Sequence, residues 1–280
     1  VGDLVGYSVD LFDYDGDGQG DIIMGALGSD YLASGGGAAF VVLGPISGLW
    51  RLSDVTDSWL YGSSVSASAG TSVGHTGDFD ADGAADLLVG APYDSTSGAY
   101  AGVLHVVAGG ALGVQDLADS PAISGDVDYA YFGQRSDGDG DVNGDGINDL
   151  LVAAPYLTYG AVSNGGGAYL FAGPVTSSTS ASGGVLYRGE SSWSYLGETI
   201  DLAGDLNGDG YDDIVLGSTN VVPAGASYSG AAYVIYGPAS NSGSIETVAN
   251  GSVVSATSTS YCGSSVDGSG DIDGDGNPDL

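Results

Sequence analysis

Five short stretches of this chain place oxygen-bearing side chains at alternate positions, the spacing a small loop uses to wrap a hard metal ion. They begin at Asp13 ("DYDGDGQGD"), Asp78 ("DFDADGAAD"), Asp141 ("DVNGDGIND"), Asp205 ("DLNGDGYDD") and Asp271 ("DIDGDGNPD"), and all obey D-x-[DN]-x-D-G-x-x-D. Side-chain oxygens at positions 1, 3 and 5, a glycine at 6 for the sharp bend, a main-chain carbonyl at 7 and a carboxylate at 9 suit calcium, which takes roughly six to eight oxygens at ~2.4 Å. The expected ligands are Asp13, Asp15, Asp17, Gln19 and Asp21; Asp78, Asp80, Asp82, Ala84 and Asp86; Asp141, Asn143, Asp145, Ile147 and Asp149; Asp205, Asn207, Asp209, Tyr211 and Asp213; and Asp271, Asp273, Asp275, Asn277 and Asp279. Gln19, Ala84, Ile147, Tyr211 and Asn277 would each offer the carbonyl.

The loops open like an EF-hand but do not close like one. Position 12, where an EF-hand carries a bidentate Glu, holds Met24, Val89, Val152 or Leu216, and the last carboxylate comes at position 9. His75, His105 and Cys262 all lie outside the loops, so nitrogen and sulfur ligands for zinc or copper are missing. Turn preference of Asp, Asn and Gly explains one or two copies, but not acids at positions 1, 5 and 9 in all five. With the position-3 aspartates Asp15, Asp80 and Asp273 included, eighteen of the 36 acidic residues are expected ligands, and carboxylates so close together repel unless a cation lies between them. Up to five Ca2+ sites are expected.

The elements that must hold these loops recur with them. Loop starts are separated by 65, 63, 64 and 66 residues. Gly70, Gly133, Gly197 and Gly263 each stand eight residues ahead of a loop, and Gly6 seven ahead of the first. An apolar run follows each of the first four loops. Then come "GGGAAFVVLGP" (from Gly35), "GAYAGVLHVVAGG" (Gly98), "GGGAYLFAGP" (Gly165) and "GAAYVIYGP" (Gly230), and a weaker segment at 58–62, 122–125, 185–189 and 252–256. Four short strands per repeat predict an all-β β-propeller of four-stranded antiparallel blades, with each acidic loop joining strands one and two. Solenoid turns are only ~20–30 residues, less than half this period. The predicted blades are 1–62, 63–125, 126–189 and 190–256, with a fifth starting over 257–280.

Composition agrees. With 36 acidic against three basic residues among 280, the formal net charge is −33, which repels nucleic acid and anionic membranes. Hydrophobic residues make up 42%, enough for a packed core, and 52 glycines punctuate short apolar runs with no sustained helical period. No stretch approaches ~18 consecutive apolar residues, so direct membrane insertion is not expected. The single cysteine, Cys262, forms no internal disulfide.

On these motifs the chain resembles the FG-GAP repeats of the integrin α-subunit propeller and of bacterial integrin-like surface proteins. The Phe-Gly signature is intact at Phe132-Gly133 and appears as Val5-Gly6, Ala69-Gly70, Leu196-Gly197 and Cys262-Gly263. Gly-Ala-Pro is intact at Gly90-Ala91-Pro92 and looser as Gly25-Ala26-Leu27, Ala153-Ala154-Pro155 and Gly217-Ser218-Thr219. The resemblance implies a seven-bladed propeller, of which this chain holds about four and a half blades as a piece of a longer precursor. It further implies calcium on one face and ligands on the opposite face. An open arc is expected, with its terminal blades least ordered and the loop at Asp271–Asp279 poorly formed.

Other motifs have plainer readings. "GTSVG" at Gly70–Gly74 fits a hydrolase nucleophile pattern, but the same slot reads "GYSVD", "GQRSD", "GETID" and "GSSVD", an inner strand with no helix to make an elbow. His75 and His105 read as ordinary strand residues, Arg188–Glu190 as a turn, Asn148 as a spacer, and Asn250–Ser252 as a glycosylation acceptor only in a eukaryotic secretory host. Tyr7, Tyr169, Tyr233 and Tyr236 should pack in strands. Tyr31, Tyr93, Tyr156, Tyr159 and Tyr228, with Tyr129, Tyr131, Trp193 and Tyr195, fall in connections, where such rings serve either protein and sugar contacts or local packing.

The expected function is a calcium-binding propeller of a secreted or cell-surface protein that recognises an extracellular protein or glycan and performs no catalysis. Near-millimolar extracellular calcium fills even modest sites. The alternatives are a non-catalytic module of a larger secreted enzyme, or a lectin.

Overall fold

The computed structural model describes residues 2–49, 51–79, 84–221, 229–255, 257, 259–268, 270–274 and 276–280. The period-2 apolar runs form strands, and four antiparallel sheets of four strands follow one another along the chain. The first comprises β1 (Val5–Phe12), β2 (Asp21–Ala26), β3 (Ala38–Val42) and β4 (Ser58–Tyr61). The second comprises β5 (Ser72–Thr76), β6 (Asp86–Ala91), β7 (Val103–Val107) and, after a short β8 (Gly113–Asp116), β9 (Ala122–Ser124). The third comprises β10 (Ser136–Gly140), β11 (Asp149–Ala153), β12 (Gly167–Phe171) and, after β13 (Thr179–Ser180), β14 (Val185–Arg188). The fourth comprises β15 (Thr199–Leu202), β16 (Ile214–Ser218), β17 (Ala231–Ile235) and, after β18 (Gly243–Ser244), β19 (Gly251–Val254).

First strands face a common axis. Residues of β1, β5, β10 and β15 line one cavity of about 260 Å³. Alternate residues of each second strand serve opposite neighbours: Leu87 and Val89 pack with Ile23, Val41 and Leu60 of the first blade, while Leu88 packs with Leu150 and Val152 of the third. Leu151 in turn joins Ile214 and Leu216 of the fourth. The core therefore lies between blades, and the chain is an all-β partial propeller. On the free side of β1, Val9 and Leu11 are 54% and 65% exposed, and β1 and β19 share no sheet. The blades form an arc.

The signature glycines account for how blades meet. Gly133 lies at φ +83°, a region open to glycine, and its N–H bonds to the Ala153 carbonyl of its own blade. Its carbonyl turns back to the preceding blade, where a Cβ on Gly90 would stand 2.0 Å from it. Gly70 against Gly25 and Gly263 against Gly217 repeat the contact at 2.0 and 2.2 Å. Phe-Gly of one blade and Gly-Ala-Pro of the blade before it are two halves of one joint. A hydroxyl fastens it: Ser8 Oγ donates to Gly70 O, Ser72 Oγ to Gly133 O and Thr199 Oγ1 to Gly263 O. Ser72 is thus a buried interblade donor, as the strand reading requires.

Short strands that the sequence reading missed cover the blade edges. β8, β13 and β18 lie in the three-to-four connections of blades two, three and four, and each pairs in parallel with the outer strand of the blade before, β4, β9 and β14 respectively. The three-to-four connection of every one of the four blades holds one helical turn, at Leu52–Val55, Leu117–Asp119, Ala181–Gly183 or Ile245–Val248.

Candidate metal centres

Each of the first four acidic loops joins a first strand to a second, at the same end of the sheet as the three-to-four connections. Position 1 organises it. Asp141 Oδ1 accepts from Gly144 N (2.7 Å) and Asp145 N (3.1 Å), and its Oδ2 from Gly146 N (2.8 Å). Asp205 accepts from Gly208, Asp209 and Gly210 at 2.7, 3.0 and 2.7 Å. Asn143 and Asn207 each accept from the amide two residues on, at 2.9 and 2.8 Å, and Asp145 Oδ1 from Ile147 N at 2.9 Å. The position-6 glycines Gly18, Gly146, Gly210 and Gly276 lie at φ +84° to +99°, as the bend requires.

Two of the loops gather three expected carboxylates each, whereas Asp141, Asp145 and Asp149 of the third and Asp205, Asp209 and Asp213 of the fourth do not converge as closely. In the first, one oxygen from each of Asp13, Asp15 and Asp21 lies within 4.8 Å of the others, and Asp271, Asp273 and Asp279 do the same in the fifth. An all-oxygen set of this kind fits a hard divalent cation. Asp80, Asp82 and Asp275 lie outside the described residues, as does Tyr228. The fifth loop is better formed than expected: Asp271 accepts from Gly274 N (2.6 Å) and Gly276 N (2.9 Å), and Asp279 from Ile272 N (2.8 Å). These are local bonds within the nine residues, so a neighbouring strand is not needed for them.

Position 9 has a second role that spacing alone did not disclose. One oxygen accepts from the position-2 amide, of Tyr14, Phe79, Val142, Leu206 or Ile272. The other, in the first four loops, accepts from the glycine just past the third strand, Gly44, Gly109, Gly173 or Gly237. Asp21, Asp86, Asp149 and Asp213 are accordingly buried. Burial pushes Asp213 up to about 6, with the charges of Asp209 and Asp205 adding to it and the Gly237 and Leu206 amides opposing. Asp149 is raised likewise, chiefly by burial. Asp205 runs the other way: desolvation raises it, but the Gly210, Asp209, Gly208 and Asn207 amides together outweigh that and lower it.

Position 8 also does more than space the loop. Asn148 Nδ2 donates to Gly138 O at 2.9 Å, holding the loop to its own first strand. Asp212 Oδ2 accepts from Asp141 N at 2.7 Å, so the fourth loop grips the third.

The axial cavity holds an arrangement that the strand reading of His75 did not anticipate. His75 Nδ1 lies 2.6 Å from Asp10 Oδ2 of the first blade and Nε2 lies 3.1 Å from Asp139 Oδ2 of the third, with the ring stacked on Phe12. Burial lowers the His75 pKa, but the Asp10 hydrogen bond and the charges of Asp139, Asp10 and Asp137 raise it further, for a net rise. Burial pushes Asp201, also on this cavity, up to about 6. His105 is a half-buried strand residue, and desolvation holds it below the usual histidine range.

The opposite end of the sheets carries the tyrosines. Tyr93, Tyr131, Tyr156 and Tyr195 form a chain of ring contacts with centroids 5.2, 5.0 and 5.2 Å apart. Two clefts open beside it, of about 400 Å³ and 300 Å³, sharing Tyr156 and Gln134. Tyr169 and Tyr233 are buried as expected, but Tyr7 is exposed on the free face of β1 and Tyr236 lies just past β17. Arg188 closes β14 rather than a turn, with its guanidinium 4.6 Å over the Tyr159 ring. Asn250 Oδ1 accepts from Tyr236 N at 2.9 Å.

Comparison with known proteins follows the same repeat. FG-GAP repeat models match residues 69–107, 132–171 and 197–235. Integrin alpha pat-2 of Caenorhabditis elegans is 29% identical over 216 residues, covering 73% of this chain and 17% of that protein. Integrin alpha-5 of Xenopus laevis is 30% identical over 210 residues, covering 73% and 19%. Phosphatidylinositol-glycan-specific phospholipase D of Mus musculus is 32% identical over 164 residues, covering 57% and 19%. The chain thus spans less than a fifth of the length of these relatives. With the repeat in the sequence, the blades in the structure and the matches in agreement, the chain belongs to the FG-GAP repeat β-propellers and is similar to the integrin α-subunit propeller.

Proposed function

We propose that this chain is a calcium-binding recognition propeller of a secreted or cell-surface protein, without catalysis of its own. The observation that carries the reading is the recurrence of one oxygen-lined loop, with Asp13, Asp15 and Asp21 converging within 4.8 Å in the first copy and Asp271, Asp273 and Asp279 in the last. In each loop the side chains at positions 1, 3, 5 and 9 and the carbonyl at 7 would hold the ion, which would supply positive charge to a cluster of acids. Calcium would then tie the first strand, the second strand and the end of the third together. Similarity to integrin α chains, proteins of the cell surface, supports the extracellular placement.

Melting in excess chelator against millimolar calcium tests the reading. Each site contributes about 2.7 kcal/mol when free calcium is about 100-fold above its dissociation constant, so a large fall in Tm on chelation is expected. Coincident curves would overturn the calcium assignment. The second reading, a non-catalytic module of a larger enzyme, is favoured by the similarity to a phospholipase D. A catalytic segment adjoining these blades in the whole protein would establish it.

A further inference from the structure

The two tyrosine clefts are built in register with the repeat. Two residues before each Phe-Gly glycine the backbone takes a positive φ: Leu4 at 55°, Ser68 at 53°, Tyr131 at 55°, Tyr195 at 54° and Tyr261 at 52°. Because leucine and serine occupy the same turn, the turn does not require a ring. Aromatic residues at this strained position in three successive copies therefore answer to something other than the backbone. The residue after the signature glycine is also directed to this surface, as Gln134, Glu198 and Ser264, and the residue after Gly-Ala-Pro supplies Tyr93, Tyr156 and, in the fourth blade, Asn220.

The larger cleft thus has ring walls from Tyr156, Tyr195 and Tyr261 around the polar groups of Gln134, Glu198 and Asn220. The smaller repeats the scheme one blade earlier, with Tyr93, Tyr131 and Tyr156 beside Gln134 and Asn164. Their volumes of about 400 and 300 Å³ fall within the ~300–1,000 Å³ of small-molecule sites.

We infer that these adjoining clefts bind a neutral linear oligosaccharide, one segment in each, with Tyr156 and Gln134 as the shared partition. Tyrosine faces accept the C–H faces of sugar rings, and amides placed beside them pair with hydroxyls. A ligand of repeating units matches a site that repeats by blade. Anionic glycans are disfavoured: no Arg, Lys or His is among the described lining residues, Glu198 is, and the chain carries a net charge of −33. The inference rests on the proposal that the propeller is a recognition module and names its ligand class.

Titration calorimetry of the calcium-loaded chain with neutral oligosaccharides of two to six units, derived from cellulose, chitin, xylan, mannan and galactan, tests it. Heparin and a basic peptide serve as charged probes. At least one neutral series should bind, more tightly as length spans both clefts. Tyr156→Ala should weaken binding by about tenfold, the scale of one lost aromatic partner, and Tyr156→Phe should retain most of it. Tyr31→Ala, outside both clefts, should change nothing. Absence of neutral binding at 5 mM probe concentration, equal effects of the Ala and Phe variants, or binding of only a charged probe would overturn the glycan assignment while leaving the chelation result untouched. Hydrolysis of a bound sugar would overturn the recognition reading itself.

Discussion

Within a single acidic loop, neighbouring side chains do different jobs, and single substitutions separate them. Asp145, at position 5, is a proposed ligand whose carboxylate accepts from Ile147 N, whereas Asn148 carries the bond to Gly138 O. Asp145→Ala should lose one bound calcium, read by metal analysis of the dialysed protein. Asn148→Ala should keep its calcium yet lose about 1 kcal/mol, the scale of one hydrogen bond, in a denaturant melt at saturating calcium. Equal calcium loss in both variants would mean that the register of the loop is wrong. The second effect was not legible in the repeat, because position 8 varies as Gly20, Ala85, Asn148, Asp212 and Pro278. Ligand spacing is periodic and therefore readable, while a bond to a strand ten residues back depends on how the loop lies on its blade.

At the scale of strands, the repeat made the four-stranded blades legible, since each strand combines an alternating apolar run with glycine punctuation. The covering strands β8, β13 and β18 were not legible. They are two to four residues long, carry no apolar alternation and exist only because another blade's edge lies beside them. The Phe-Gly to Gly-Ala-Pro joint sits between these cases, with motifs plain in the sequence and partnership visible only in three dimensions. It makes a sharp prediction. A Cβ at Gly90 would meet Gly133 O at 2.0 Å and Ser72 Oγ at 2.2 Å, so Gly90→Ala should cost about 3 kcal/mol, the upper range for overpacking. The third blade already has Ala153 in this slot, where Arg135 replaces the hydroxyl residue and a Cβ built on Gly197 would stand 3.5 Å from the alanine Cβ. Ala153→Gly should therefore change stability by less than about 1 kcal/mol. Equal destabilisation by the two substitutions, compared by chemical denaturation, would reject the joint as described.

For the molecule as a whole, the axis adds a pH-dependent tie between three blades. His75 faces Asp10, Asp137, Asp139 and Asp201 across the cavity, and its folded pKa is raised. Its contribution is therefore complete below the unfolded value of about 6.5 and is lost as pH rises through the higher folded value. His75→Gln should cost about 1 kcal/mol near pH 6, as for a half-exposed ion pair, and almost nothing near pH 9. A difference in Tm that holds constant across that span would exclude an ionic role. His105, whose pKa burial lowers, has the opposite sign, so its stabilising influence fades as pH falls below about 6.5. Placement of the covering strands adds a direction to the arc. Among the described residues the outer edges of the first three blades are each shielded by the blade that follows and none by the blade before. During synthesis from the N-terminus, a finished blade accordingly keeps an open hydrogen-bonding edge until the next has left the ribosome, and a nascent arc is always sticky at its growing end. Trimming the other end bares a packed face instead of an edge, so the two kinds of truncation should fail differently, by strand pairing at one end and by apolar contact at the other.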